Sequence, residues 1–431
     1  MPALNRTVFN EKHKDLGAVM VNCNGWQMPG HYPGGDLREH LCVRYHAGLF
    51  DDSHKGRFQI TGSTALYFLQ HVLTNNAELL SNGQSQYTII QTDSGFAADD
   101  ALLFRLAKNR YLLCVNAVNR EHAWNHLHRE ALNFRDLYIQ DKTFDLAMLC
   151  LQGPGAGRII DKALKKVPAL DKKKEHAENT FMAGTRVALA KSTDPGLPER
   201  LDLFMDREDA LPVWDLLSDS GAEPVGLEAK ESLRLESAMP LFGHELGLDP
   251  ENSPIPIFAS PFAPYMVSFS PKKGDFVGKD ALLEQFQTRQ RIVAHDCSDI
   301  TALPRMIYPV AVKGQKRADR GDEVCRNGKR IGVVTSCAMV PLQSGADPGI
   351  DLRTGTAGEK HPLALALLDA ATLPGQGIQV RIRDRFKDAF VVPFGGKPDS
   401  RLFSSAVLWD RTFSPDTRTT SQNSAAKPIP H

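Results

Sequence analysis

From about residue 291 the sequence changes texture, and that change restricts the architectures open to the chain more than any single motif does. Short β-rich runs follow one another there (RIVAHDC, RMIYPVAV, RIGVVTSCAMV, HPLALALL, GIQVRIR, AFVVPF), a spacing that predicts a small barrel or sandwich. Upstream, helix-period and strand-period segments alternate without the rhythm of a parallel sheet, which points to an α+β fold. LREHLCVRYHAGLF reads as a helix stopping near Gly48, GRFQITG as a strand, and STALYFLQHVLTN as an amphipathic helix with Ser63 as its N-cap. SQYTIIQTDSGFAADDALLFRLAKNRYLLCVNAV supplies three strand candidates, and Asn119 is placed to cap the helix that follows. FDLAMLCLQGPGAGRIIDKAL is a strand, a turn and a helix; its glycine spacing matches neither a dinucleotide fingerprint nor a P-loop. A chain of 431 residues exceeds one ordinary core. The expected organisation is an α+β core over 1–290, a β-rich domain over 291–412 and a tail over 413–431 of disordered composition.

Charge and cysteine usage remove several function classes. Lys and Arg (51) balance Asp and Glu (51) with no long basic run, so the chain lacks an electrostatic footprint for nucleic acid. No stretch approaches the length of apolar sequence a membrane helix needs, and the N-terminus has no signal-like apolar segment. Seven scattered cysteines without a C-x-x-C suggest reduced core thiols, and the expected compartment is the cytoplasm. His126 and His128 lie two apart in a helical pattern and do not share a face, so no metal site is expected there. The partner these properties favour is a small molecule.

DSGFAADDALLFRL then poses a problem. Two adjacent carboxylates, Asp99 and Asp100, interrupt an apolar run that reads as a buried strand. Taking an ionised carboxylate out of water is costly unless it is paired or hydrogen-bonded, so at least one of the two has a task.

Several colinear stretches together resemble the aminomethyltransferase family, the T-protein of glycine cleavage and its tetrahydrofolate-dependent relatives. NGWQMPGHYPGG with EHLCVRYHAGLFDDSHKGRFQITG is similar to the family's N-terminal signature. VLTNN, GQSQYTII, DSGFAADD, CVNAVNRE, LQGPGA, SLRLESAMPLFGHEL, DFVGKDAL and RIGVVTSC follow in the family's order across most of residues 10 to 340. The resemblance implies two interleaved α+β lobes around a central folate cavity, followed by a C-terminal β-barrel. It also implies that Asp100, the second acid of a G-G-x-x-D-D pattern, projects into that cavity, where a carboxylate can hold a folate nitrogen and stabilise developing positive charge. Strand alternation then turns Asp99 away. Tyr87 and Asn116 match cavity positions of the family. Asp202 falls where the family has the glutamate of G-F-E-L, expected to take the pterin edge, and Lys230 falls where it has an arginine; the resemblance implies that both bind the folate and grip its far edge.

Departures from the family pattern bear on the one-carbon donor. STDPGLPERLD replaces a tyrosine-bearing loop, with Asp194 or Pro195 at the tyrosine; Lys55 replaces a methionine; Phe96 replaces a glycine. Residues are added in LDPENSPIPIFASPFAPYMVSF and from Gln343 to Lys360. These changes lead to the expectation of a small-molecule donor whose methyl or methylene group passes to N5 of tetrahydrofolate. Lys55 would neutralise the donor and His54 would protonate the leaving group. The alternative is an ordinary aminomethyltransferase working with a lipoylated carrier protein. A second alternative, a non-catalytic folate-binding scaffold, lacks the K-G-C-Y-x-G-Q-E signature of such relatives.

Overall fold

The computed structural model describes residues 3–165, 180–192, 199–341 and 360–392. Two antiparallel sets of strands form the centre. The first orders Gly48–Asp51, Leu146–Gln152, Arg200–Asp206 and Thr185–Ser192; the second orders Gln84–Gln91, Ala97–Ala107, Arg110–Val115, Gly56–Thr61 and Tyr138–Asp141. A single parallel contact, Lys191 beside Gln84, joins them.

Each set buries its own core. In the first, the helix Ala156–Lys165 turns Ala156, Ile159, Ile160 and Ala163 inward, the i, i+3, i+4, i+7 stripe that its sequence encodes, against Leu149, Leu203 and Trp214. In the second, Phe58, Phe68, Leu103 and Tyr111 pack together. Gly153, at φ +140°, makes the turn between strand and helix possible: a Cβ there would meet the His46 carbonyl oxygen at 2.4 Å.

The lobes are interleaved in sequence. The chain leaves the first at Asp51, crosses through Asp52, Ser53, His54 and Lys55, enters the second at Gly56 and returns at Leu146. Those four crossover residues therefore lie between the lobes. Downstream, six strands close a barrel in the order Arg305–Val312, Lys360–Asp369, Lys329–Pro341, Glu323–Arg326, Gly377–Ile382 and Arg385–Val391. Val310, Val334, Ala366 and Val380 fill its interior. Among the described residues no helix is long and apolar enough to cross a membrane.

Three local expectations differ from what is observed. RIVAHDC is not a strand: Arg291, Ile292 and Val293 end the helix Lys279–Val293, whose buried Leu282, Gln285, Thr288 and Ile292 follow a helical period. Short apolar runs at a helix end are indistinguishable from strands by periodicity alone. Ser63 does not cap the next helix, which starts at Ala65. Its backbone N–H instead donates to Asp136 Oδ2 at 2.9 Å, while Thr64 Oγ1 donates to the Arg135 carbonyl at 2.7 Å. Asn119 sits at the boundary of the helix Arg120–Ala131, yet its amide donates across to the Ala98 carbonyl. The tail at 413–431, most of the insertion from Gln343, and Asp194 with Pro195 lie outside the described residues.

Candidate functional site

Between the lobes lies a cavity of about 550 Å³, within the usual range of about 300–1,000 Å³ for small-molecule sites. The crossover brings His54 and Lys55 to its wall, adjacent strands bring Tyr87, Asp100 and Asn116, and the helix Leu227–Glu236 brings Lys230. That helix is held by Glu39, a buried carboxylate that accepts the Tyr32 N–H at 2.5 Å and the Gly226 N–H at 2.7 Å.

Asp100 is held on the wall by three donors. Its Oδ1 accepts the Phe242 N–H at 2.8 Å and the Asn116 amide at 2.9 Å, and its Oδ2 accepts the Tyr87 hydroxyl. Burial raises its pKa above the ordinary carboxylate value despite these donors. Asp99 is fully buried and is not part of the wall. Its carboxylate takes the Asn116 side-chain amide at 2.8 Å and the Asn116 N–H at 3.2 Å, so it anchors the residue that in turn grips Asp100. Burial, together with the neighbouring Asp100, pushes Asp99 well upward in pKa.

A second group centres on Asp52, which is fully buried. Lys55 donates to its Oδ2 at 3.1 Å, Lys230 to its Oδ1, and Arg200 lies 3.6 Å from Oδ2. Despite its burial, these three cations hold the Asp52 carboxyl well below its usual range.

Two expected roles change on this geometry. Asp202 does not reach the cavity wall. Both of its oxygens accept from Arg200 Nε, at 3.1 and 3.0 Å, and Arg200 stands on the wall in its place. Residues i and i+2 of a strand share a face, so the R-L-D triplet pairs with itself. His54 is not a source of protons near neutrality, because burial lowers its pKa to about 4, and it is a neutral imidazole on the wall. Asp52 and Arg200 are site residues that the sequence reading misses; the D-D doublet preceding S-H-K and the i, i+2 charge pair are the signals that point to them. Asp52, Asp202 and Cys150 also bring three ligand-type atoms within 4.8 Å of one another, but the cations already neutralise both carboxylates, a donor set that does not suit a metal ion.

The class defined by this fold and site is a two-lobed α+β protein with an appended barrel and, between the lobes, a cavity of small-molecule size walled in part by a buried, well-held carboxylate. The chain belongs to the aminomethyltransferase family, with residues 9–257 matching the GCVT N-terminal domain. Curated aminomethyltransferases of Thermus thermophilus (35% identity, 79% of this chain and 88% of the relative) and Deinococcus deserti (32%, 89% and 94%) are similar along most of their lengths. The crystal structure of glycine cleavage system aminomethyltransferase T from Bartonella henselae superposes with a TM-score of 0.71 at 27% identity, covering 92% of this chain and 98% of that one. The protein is accordingly a tetrahydrofolate-dependent one-carbon transferase. The wall fits that ligand chemically: Tyr87, Asp100 and Asn116 offer donors and acceptors to a pterin edge. His54 Nδ1 and Gln152 Nε2, on buried side chains of the same wall, have no partner among the described residues.

Proposed function

We propose that the unit transferred is an aminomethyl group, delivered on the lipoyl arm of a carrier protein and passed to tetrahydrofolate with release of ammonia. The observation that carries this reading is Asp100, a buried carboxylate on the wall of a folate-sized cavity with three donors fixing its orientation. Asp100 accepts a hydrogen bond from the attacking amine and stabilises positive charge as it develops. Tyr87 and Asn116 keep the carboxylate aimed, so little reorganisation is needed when that charge appears. The relatives named above support the aminomethyl donor over the small methyl or methylene donor expected from the altered motifs.

One feature favours the small donor as a second reading: Lys55 stands on the wall where the family pattern has methionine. Incubation with tetrahydrofolate and a lipoylated, aminomethyl-loaded carrier separates the two. The proposed reaction yields ammonia, free dithiol and the 5,10-methylene folate in equal amounts. No ammonia, together with a 5-methyl folate from a methylated small molecule, refutes it.

A further inference from the structure

A buried carboxylate joins the barrel to the cavity wall. Glu245 is fully buried, and its oxygens accept from three parts of the fold. Oε2 accepts Arg234 Nη1, on the helix Leu227–Glu236, at 2.9 Å and the Leu241 backbone N–H at 3.2 Å. Oε1 accepts the hydroxyls of Thr335 and Ser336, on the barrel strand Lys329–Pro341, at 2.7 and 2.6 Å. Successive residues of a regular strand point to opposite faces, so neighbours do not ordinarily meet one oxygen. Here the register against the strand Lys360–Asp369 shifts between Val334 and Ser336, and this bulge lets both hydroxyls converge.

The turn that Glu245 closes carries a donor of the site. The Leu241 carbonyl accepts the His244 and Glu245 N–H groups at 3.1 and 3.0 Å, while the Leu241 N–H is held by the Glu245 side chain. Phe242, the next residue, directs its N–H onto Asp100 Oδ1 at 2.8 Å. We propose that Glu245 is a positioning residue for one-carbon transfer: it fixes the turn between barrel and helix so that the Phe242 N–H meets Asp100. This deepens the role given to Asp100 and rests on it. The titratable groups that face Asp100 are Tyr87 on the adjacent strand, Asp99 beside it and Lys55 on the crossover. Freeing the Phe242 N–H leaves these in place and takes one donor from the ionised carboxyl, so the Asp100 pKa rises.

The test compares variants of the full chain. Glu245→Met removes every acceptor. Formation of the folate product in a single turnover is expected to fall about ten-fold or more, and the acid limb of its pH profile to move up by about one pH unit. The Phe242 amide, followed by NMR in protein labelled with nitrogen-15 phenylalanine, is expected to exchange its hydrogen about ten-fold faster while the Phe58 and Phe104 amides keep their rates. Glu245→Gln is expected to restore all three readouts. Its oxygen can serve Arg234 and Leu241, and its amide can donate to Thr335 and Ser336, which turn to the Leu365 carbonyl at 3.0 Å and His244 Nδ1 at 3.2 Å. Thr335→Val combined with Ser336→Ala alters only the barrel side; it is expected to move the same readouts in the same direction and decides the matter if Glu245→Met does not fold. Lost activity with the acid limb and the Phe242 exchange unmoved overturns the proposal, and so does faster exchange with an unchanged transfer rate. Asp100→Asn, run alongside, keeps the two readings apart: transfer at the wild-type rate removes the role of Asp100, and Phe242 exchange then decides by itself whether Glu245 holds the turn.

Discussion

Replacing Asp100 by asparagine separates the charge of this residue from its architecture. In the native site Oδ1 accepts from the Phe242 N–H and the Asn116 amide, and Oδ2 accepts from the Tyr87 hydroxyl. The asparagine carbonyl can occupy the Oδ1 position and keep the first two bonds. Its amide then faces Tyr87, whose hydroxyl can rotate and accept, so the third bond survives with its direction reversed. What is lost is the charge assistance, roughly 1 kcal/mol of stability in total, offset in part because an uncharged side chain costs less to bury. Asp100→Asn is therefore expected to melt within a few degrees of the wild type and to bind tetrahydrofolate. Transfer should fall by about 10²–10⁴-fold, the range for loss of a positioned acid–base group. The assay is single-turnover formation of the folate product, paired with fluorescence-detected folate binding and thermal melting. A variant that turns over within about two-fold of wild type would refute the role assigned to this carboxylate.

Glu39, pushed up by burial to about 7, should make the protein less stable as pH rises. Its folded pKa lies above the unfolded one, so between about pH 4.5 and 7 the folded state binds more protons and stability declines, by about 3 kcal/mol. Glu39→Gln should flatten that decline in a series of denaturant melts while losing one backbone bond, to Tyr32 or Gly226. Lys273 has the opposite sign. Buried and donating to the Leu73 carbonyl at 2.7 Å, it is drawn down to about 7, so the unfolded chain binds more protons between about pH 7 and 10 and stability rises there. Lys273→Met should remove that rise from the same melts. Gly226→Ala places a methyl group 2.2 Å from the Gly30 carbonyl oxygen, backbone against backbone. It should cost about 1–3 kcal/mol and shift the helix bearing Lys230, seen as weaker folate binding.

The sequence made the fold legible wherever periodicity was long enough to read. The barrel strands, the three-strand run from Gln84 to Val115 and the helix Ala156–Lys165 all follow from apolar spacing. The interleaving of the lobes was legible only through resemblance, because nothing local in D-D-S-H-K-G-R states that the chain changes lobes there. Cavity residues divided in the same way. Asp100, Tyr87 and Asn116 come together on the wall because adjacent antiparallel strands place them side by side. Asp202 does not join them: its fate was decided by Arg200, a partner two residues away that a residue-by-residue transfer from the family overlooks. The pKa of His54 was also out of reach, since burial is a property of the folded whole.

The crossover explains how such a site can change its donor without losing its fold. Its backbone is fixed by groups that do not face the cavity. Asp51 takes the Ser53 N–H at 2.9 Å and is held in turn by His13 Nε2 at 3.1 Å, whose Nδ1 meets the Tyr32 hydroxyl at 2.8 Å. On the other side, the fully buried Arg57 donates to the Lys55 carbonyl at 2.6 Å and to that of Thr143. With both ends anchored by buried hydrogen bonds, the side chains of His54 and Lys55 can vary while the path of the chain does not. A methionine at 55 would leave Asp52 to Lys230 and Arg200, a balanced enough arrangement to keep the lobes in place. The lysine adds charge to the wall and little to the scaffold. Substitution there is therefore expected to alter which ligands are accepted far more than it alters stability, whereas Arg57→Met, which strands the carbonyls of Lys55 and of the buried Thr143, is expected to do the reverse, costing about 2–4 kcal/mol in denaturant melts.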